Sequence, residues 1–246
     1  MSGIYQKEFH IHPTDTDRFN RLKPSHLLSI LQSAAGDHSD LLGADRQALT
    51  AHNLFWAVIR HRVQITRLPG EGEDITVQTW PMPTTRTAYP RSAVALDKDG
   101  NELFRSISLW VLMDETQRSL VLPGKSGVSV DGLIRGDELS APGSLLPGHW
   151  PNEIQRTVHF SDLDRNGHMN NCRYLDWIVD TLPSEFHQGH APREFSVCYH
   201  AEAREQDAIC LSWALNEDGC LGVDAFRKEN ESSAGQSRVF SARMLF

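Results

Sequence analysis

The sequence predicts an α+β protein made of two copies of one unit, each a long helix packed on an antiparallel sheet. Three observations carry that expectation. A short segment recurs, Asp15-Thr16-Asp17-Arg18 and Asp162-Leu163-Asp164-Arg165, at an offset of 147. Each copy then runs into apolar residues at helical spacing, Leu27, Leu28, Leu31, Ala34 and Ala35 in the first and Leu175, Ile178, Val179 and Leu182 in the second. Further on, Arg67 to Trp80 lies over His200 to Trp213 with Asp74 on Asp207 and Trp80 on Trp213, an offset of 133. A chain of 246 residues has room for two modest cores.

Taken in order, each copy reads as a short strand, a loop, one helix and several strands. Pro24 suits the first turn of the first helix, where a missing N–H costs nothing, and Gly36 or Gly43 is placed to end it. Strands follow over Phe55 to Ile65, Asp74 to Trp80, Arg91 to Leu96 and Leu103 to Leu112, with Lys98-Asp99-Gly100 as the turn joining the last two. In the second copy Asn170 or Asn171 can cap the helix and Pro183 ends it. Gly124 to Pro151 is rich in Gly, Pro and Ser without sustained period and reads as a linker. The expected domains are therefore residues 1–125 and 152–246, with a linker over 126–151. One helix against an antiparallel sheet, present twice, is a tandem (double) hotdog arrangement.

Composition narrows the function. With 24 Lys plus Arg against 32 Asp plus Glu, the net charge of −8 lacks the basic footprint of a duplex-binding protein, so nucleic acid is not expected. Arg60, Arg62 and Arg67 form a local basic cluster that either meets an acidic partner or is a solvated strand face. Cys172, Cys198, Cys210 and Cys220 show no CxxC pair and no zinc spacing, so no metal is expected and reduced thiols are the simplest reading. There is no glycine-rich phosphate loop and no HExxH, so no cofactor is expected. No leader pattern opens the chain and no run of eighteen apolar residues occurs, which predicts a complete cytoplasmic protein without membrane insertion.

The densest chemistry lies in Asp162-Leu-Asp-Arg-Asn-Gly-His-Met-Asn-Asn171, directly before a helix. A helix start offers unpaired N–H groups and a positive dipole end, which suit a developing oxyanion, and a neighbouring carboxylate or imidazole can orient water. Caps and Asx turns use the same residues, and a loop histidine is often merely solvated. The first copy discriminates: Phe19 stands at the place of Asn166 and Arg21 at that of His168, so the loop itself does not demand either residue.

The segment HFSDLDRNGHMNNCRYLDWIVDTLP resembles the active-site stretch of the acyl-acyl carrier protein thioesterases of plants and bacteria, which are tandem hotdog enzymes. FWAVIRHRVQITRLPGEGEDITVQTWP and FRSISLWVLMDETQRSLVLP are similar to their first domain, and the likeness runs from about Phe9 to Asp207. The resemblance implies a fatty acyl-acyl carrier protein as substrate and partner, and Asp164, Asn166, His168 and Glu202 as the catalytic set. The family often has cysteine directly after that glutamate; here the position is Ala203, so no thiol nucleophile exists there. The expected chemistry is hydrolysis by an activated water. Glu202 and His168 would handle the water, Asp164 orient its neighbours, Asn166 contact thioester or water, and a backbone N–H at Met169 or Asn170 receive the carbonyl.

The resemblance further implies an inert first copy that holds the acyl chain, with Trp56, Phe55 and Leu31 as wall residues, although core packing explains each equally well. Three rival readings remain at this stage: a coenzyme A thioesterase, a hotdog hydratase or dehydratase, and an acyl-binding protein without turnover. The fused pair leaves monomer and homodimer both open.

Overall fold

The structure, a computed structural model, describes residues 3–130, 132–227 and 237–246. The chain divides into an N-terminal unit, Met1–Pro142, and a C-terminal unit, Gly143–Phe246.

In the N-terminal unit the elements are β1 (Tyr5–His10), α1 (Pro24–Leu41), α2 (Arg46–Thr50), β2 (Leu54–Ile65), β3 (Asp74–Pro81), β4 (Tyr89–Leu96), β5 (Glu102–Asp114), β6 (Leu120–Val121) and α3 (Pro123–Ser126). The sheet runs β1-β3-β4-β5-β2, antiparallel throughout, with β6 beside β5. The expected strands all form, within two residues of their expected ends. Pro24 is the first residue of α1, and Gly43, in the left-handed region at φ +70°, follows its last turn. Leu27, Leu28, Leu31, Ala34 and Ala35 are buried on one helix face, as their spacing requires. The Lys98–Gly100 turn is held by Asp97, whose Oδ1 accepts the Asp99 and Asn101 amides at 2.9 and 2.8 Å, with Gly100 at φ +82°.

The C-terminal unit repeats the plan: β7 (Asn152–Thr157), α4 (Arg173–Val179), α5 (Ser184–Gly189), β8 (Glu194–Tyr199), β9 (Ala208–Leu215), β10 (Cys220–Arg227) and β11 (Ser237–Leu245), in the sheet order β7-β9-β10-β11-β8. The expectation of one long helix fails here. α4 has seven residues, and its axis is interrupted at Asp180 to Pro183 before α5 begins. A residue preceding proline disfavours helical ψ, so Pro183 starts the second short helix rather than merely stopping a long one. Asn170 helps at the helix entry, its Oδ1 accepting the Cys172 N–H at 2.9 Å.

Strand register corrects the alignment of the second anchor. Tyr5 pairs Thr79 and His10 pairs Asp74, while Asn152 pairs Trp213 and Thr157 pairs Ala208. The two copies thus match at an offset of 134 in this region, not 133, and the coincident tryptophans misled by one residue. The counterpart of Glu202 is Leu68, not Pro69.

The linker is not a loose spacer. Leu133 N–H donates to Pro81, Arg62 Nη1 reaches Ser140 Oγ at 2.8 Å, and Arg60 Nη1 reaches the Pro142 carbonyl at 3.1 Å, so two of the three clustered arginines hold this segment on the N-terminal unit. Arg67 instead forks onto Glu73 at 2.7 and 2.8 Å. Beyond residue 143 the tie is Asp224, fully buried, which accepts from Gly148 N at 2.8 Å, from Trp150 Nε1 at 2.5 Å and from Arg238. Trp150 lies so close over Gly222 that a Cβ there would meet its ring at 2.2 Å. Among the described residues no helix is long and apolar enough to cross a membrane.

Candidate active site

The loop before α4 is closed by an antiparallel bridge between Leu163 and Met169. Inside it Asp164 N–H donates to the His168 carbonyl at 2.7 Å and Gly167 N–H to the Asp164 carbonyl at 3.0 Å. The Asp164 carboxylate ties the rest: Oδ1 accepts the amides of Asn166 at 2.7 Å and His168 at 3.3 Å, and Oδ2 accepts Asn166 Nδ2 at 3.3 Å. Gly167 takes φ +76°.

The same loop is built in the N-terminal unit. Thr16 bridges Leu22, Asp17 N–H donates to Arg21, and Asp17 Oδ1 accepts the amides of Phe19 at 2.8 Å and Arg21 at 3.0 Å. There Asn20, at φ +56°, occupies the place of Gly167, and Arg21 forms an ion pair with Asp17 at 2.8 Å. The aspartate therefore serves the loop's architecture in both copies. What the second copy adds is Asn166 and His168.

Glu202 meets this loop. His168 pairs with Arg204 in a β-bridge and Met169 N–H donates to the Ala203 carbonyl at 2.8 Å, which brings His168 Nε2 to 3.2 Å from Glu202 Oε2. The histidine side chain is 17% and the glutamate 41% exposed, so the pair is supported from within and open to solvent. Glu202 lies in the connection between β8 and β9. That connection is fixed by residues the sequence reading did not single out. Arg227 donates to the Glu202 carbonyl and pairs with Asp207 at 2.9 Å, and Asp207 Oδ2 accepts the Arg204 N–H at 2.8 Å. Only the position of Arg227 at the end of β10 could have pointed to it, and a strand-end arginine carries no such signal by itself.

The expected carbonyl donors do not stand free. Met169 N–H is used by Ala203, and Asn170 N–H donates to the Asp162 carbonyl at 2.8 Å, because the loop closes on itself before the helix begins. Asn171 Nδ2, by contrast, is buried without a hydrogen-bond partner. Trp56 belongs to the packing of the N-terminal unit: its Nε1 donates to the Ala44 carbonyl at 3.0 Å and its ring packs edge-on to Tyr89 in a cluster with Leu49, Leu54 and Leu112. Phe55 carries the Arg118 guanidinium over its ring, and Leu31 lines a cavity.

The thiols are placed as structural residues. Cys198 is buried in β8, its Sγ 3.6 Å from the Gly143 carbonyl, and burial pushes the Cys172 thiol up to about 12. Ala203 is fully buried beside Glu202. Among the described residues no group of three His, Cys, Asp or Glu side chains is disposed to hold a metal ion.

Known proteins show the same plan. The family model of the acyl-ACP thioesterase N-terminal domain matches residues 2–122, and that of the acyl-ACP thioesterase C-terminal domain matches residues 150–238. A chloroplastic dodecanoyl-[acyl-carrier-protein] hydrolase of Cinnamomum camphora is 28% identical over 233 residues, covering 88% of this chain and 60% of the relative. This chain spans about 60% of the length of the curated relatives it matches. The crystal structure of an acyl-ACP thioesterase from Bacteroides thetaiotaomicron superposes with a TM-score of 0.85 at 25% identity, covering 99% of this chain and 98% of that one. The 12:0-ACP thioesterase of Umbellularia californica shares the fold, with a TM-score of 0.82 at 21% identity over 100% and 97% of the two chains. With both halves of the chain matched by the models of one family, in order and over the units that the structure separates, this tandem hotdog protein belongs to the acyl-ACP thioesterase family.

Proposed function

We propose that the protein hydrolyses the thioester of a fatty acyl-acyl carrier protein and releases the free fatty acid, with water as the second substrate and with Asp164, Asn166, His168 and Glu202 as the site. The observation that carries this reading is the His168–Glu202 pair at 3.2 Å, built on a loop whose first-copy twin holds Arg21 and, at the glutamate's position, Leu68. A carboxylate and an imidazole in contact, open to solvent, can take a proton from water as its oxygen bonds to the thioester carbon. Collapse of the resulting tetrahedral adduct breaks the C–S bond, and the proton returns to the departing thiolate. Asp164 keeps the His168 backbone and the Asn166 amide in place, so it acts on the reaction by positioning. Asn166 Oδ1, unbonded among the described residues, is the acceptor that faces water or substrate. The N-terminal unit, lacking this set, serves the acyl chain rather than the chemistry. The four cysteines, none in a disulfide, agree with a reducing, cytoplasmic setting.

The test is release of fatty acid from acyl carrier protein and coenzyme A thioesters over a range of chain lengths. Release from the carrier-protein thioester at a higher kcat/KM supports the proposal. Equal or better use of coenzyme A would overturn the carrier assignment, and no release from either would overturn the enzyme.

A further inference from the structure

The core of the N-terminal unit is polar where that of its twin is apolar. Between α1 and the sheet lies a small cavity with room for about one water-sized group. Its lining includes Leu31 from α1, His61 from β2, Thr79 from β3, Arg91 from β4, and Ser108 and Trp110 from β5. His61, Ser108 and Arg91 form one cross-strand row, since His61 pairs Ser108 and Ser108 pairs Arg91. In the next row Thr79 pairs Ala93 and Ala93 pairs Ser106.

Register identifies the same rows in the C-terminal unit. Trp213, which matches Thr79, pairs Val223, and Val223 pairs Ala242. One row away Leu221 pairs Met244 and Met244 pairs Phe195. Phe195, Met244 and Leu221 thus stand where the first unit has His61, Ser108 and Arg91, and all three are buried. The fold closes its core with hydrocarbon at these positions, so the polar set is not demanded by the fold.

Arg91 is the charge at the centre of this set. Its Nη1 reaches His38 Nδ1 at 3.1 Å and Thr79 Oγ1 at 3.3 Å, both uncharged acceptors, and no carboxylate lies within ion-pair distance of it among the described residues. Burial lowers its pKa to about 10, which leaves it cationic at neutral pH. Burial also pushes His61 and His38 down to about 4, the latter with help from Arg91, so neither adds charge. Arg91 is half-buried, and a guanidinium drawn partly out of water costs stability unless an anion answers it, while its planar fork matches a carboxylate better than any neutral group.

We propose that this cavity is a carboxylate-binding site, in which the Arg91 guanidinium supplies the countercharge and Thr79, Ser108 and His61 surround the bound group. The confined space takes a small head group and suits the methyl end of a saturated chain poorly. Two sources carry that chemistry: a small free carboxylic acid, or the far carboxylate of an acyl chain that is itself carboxylated. The second source rests on the thioesterase reading, and the first does not.

Calorimetric titration of the whole chain with acetate and butyrate, against acetamide and butyramide, tests the site without any need for turnover. The carboxylates are expected to bind at least tenfold more tightly than the amides, and Arg91→Leu, the residue of the twin row, to lose that preference. Arg91→Gln, checked by circular dichroism, serves if the leucine variant does not fold. Equal binding of acid and amide, an unchanged Arg91 variant, or no carboxylate binding at ~10 mM, where an interaction of about 3 kcal/mol is still visible, would each overturn the proposal. Turnover of ω-carboxylated against methyl-ended acyl thioesters of one length then separates the sources. An Arg91-dependent KM for the former identifies the substrate's own carboxylate, and use of the methyl-ended chain alone identifies the free acid. Carboxylate binding without hydrolysis of any thioester leaves the site standing and fails the thioesterase reading instead.

Discussion

His61 makes the N-terminal unit sensitive to acid in a way that can be computed. It is 2% exposed in β2, with the Trp110 ring edge-on at 6.4 Å, and burial lowers its pKa from 6.5 to about 4. A base whose folded pKa is depressed takes up its proton in the unfolded chain first. The stability tied to the neutral ring is therefore complete above the unfolded value and drains away as pH falls from 6.5 toward 4. The full effect is about 3 kcal/mol and the part lost by pH 5 about 2 kcal/mol. His61→Phe, which installs the residue found at the matching Phe195, removes this titration while leaving every other group common to both proteins. Urea unfolding at pH 7.5 and pH 5 measures it. The native chain should lose about 2 kcal/mol more than the variant over that interval, a difference of about 1 M in midpoint at a slope near 2 kcal/mol/M. Parallel loss in both proteins would refute the reasoning, since it would mean that His61 is protonated in the folded state or neutral in neither.

The remaining predictions concern the second unit and the twin loops. Glu202→Gln keeps the shape and removes the base, so turnover on an acyl thioester should fall ~10²–10⁴-fold while thermal stability stays close to that of the native chain; retention within threefold would require another base. Asp17→Ala removes an ion pair and two amide contacts from the first loop and should cost about 1–3 kcal/mol in urea unfolding, yet leave turnover within about twofold in the folded variant. Asp224→Ala strands Arg238 and Trp150 and should destabilise the C-terminal unit by about 3–5 kcal/mol. The same carboxyl is held below the usual range by hydrogen bonds from Gly148, Arg238 and Trp150 against an opposing burial effect. Its stabilisation is therefore present above pH 4 and lost as pH falls through the folded value, a loss that Asp224→Asn should not show.

Local chemistry was legible in the sequence and long-range closure was not. Pro24 and Gly43 bracket α1, and the Lys98–Gly100 turn forms as its residue types require. The duplication was visible because the loop aspartate does the same work twice, accepting two backbone amides in each copy. The second anchor slipped by one residue because Asp and Trp recur on neighbouring positions of alternating strands, and such a slip exchanges the two faces. The amides of Met169 and Asn170 looked free on the assumption that a helix begins there. Their partners come from Ala203, some thirty residues away, and from Asp162, whose carbonyl turns inward only once the loop is closed. The Arg227–Asp207 clamp on the Glu202 connection likewise needs two strand ends that meet only in the fold.

Comparing the twins separates scaffold from chemistry more sharply than either does alone. Asp15 and Asp162 both accept a backbone amide at 2.9 Å, from His12 and His159, and Asp17 and Asp164 both staple a five-residue loop. A carboxylate present at matching places in both units is explained by the backbone it holds, whatever else it does. The residues that differ carry the information. In the second unit Asn166, His168 and Glu202 replace Phe19, Arg21 and Leu68, which turns a structural loop into a site able to handle water. In the first, His61, Ser108 and Arg91 replace Phe195, Met244 and Leu221, which turns a hydrocarbon core into a charged cavity. Half-burying the Arg91 guanidinium without a carboxylate partner lowers stability, and the twin shows that the fold has an apolar solution at that very row. The proposed carboxylate would account for a polar core retained against that cost, as the proposed hydrolysis would account for the polar loop of the other half.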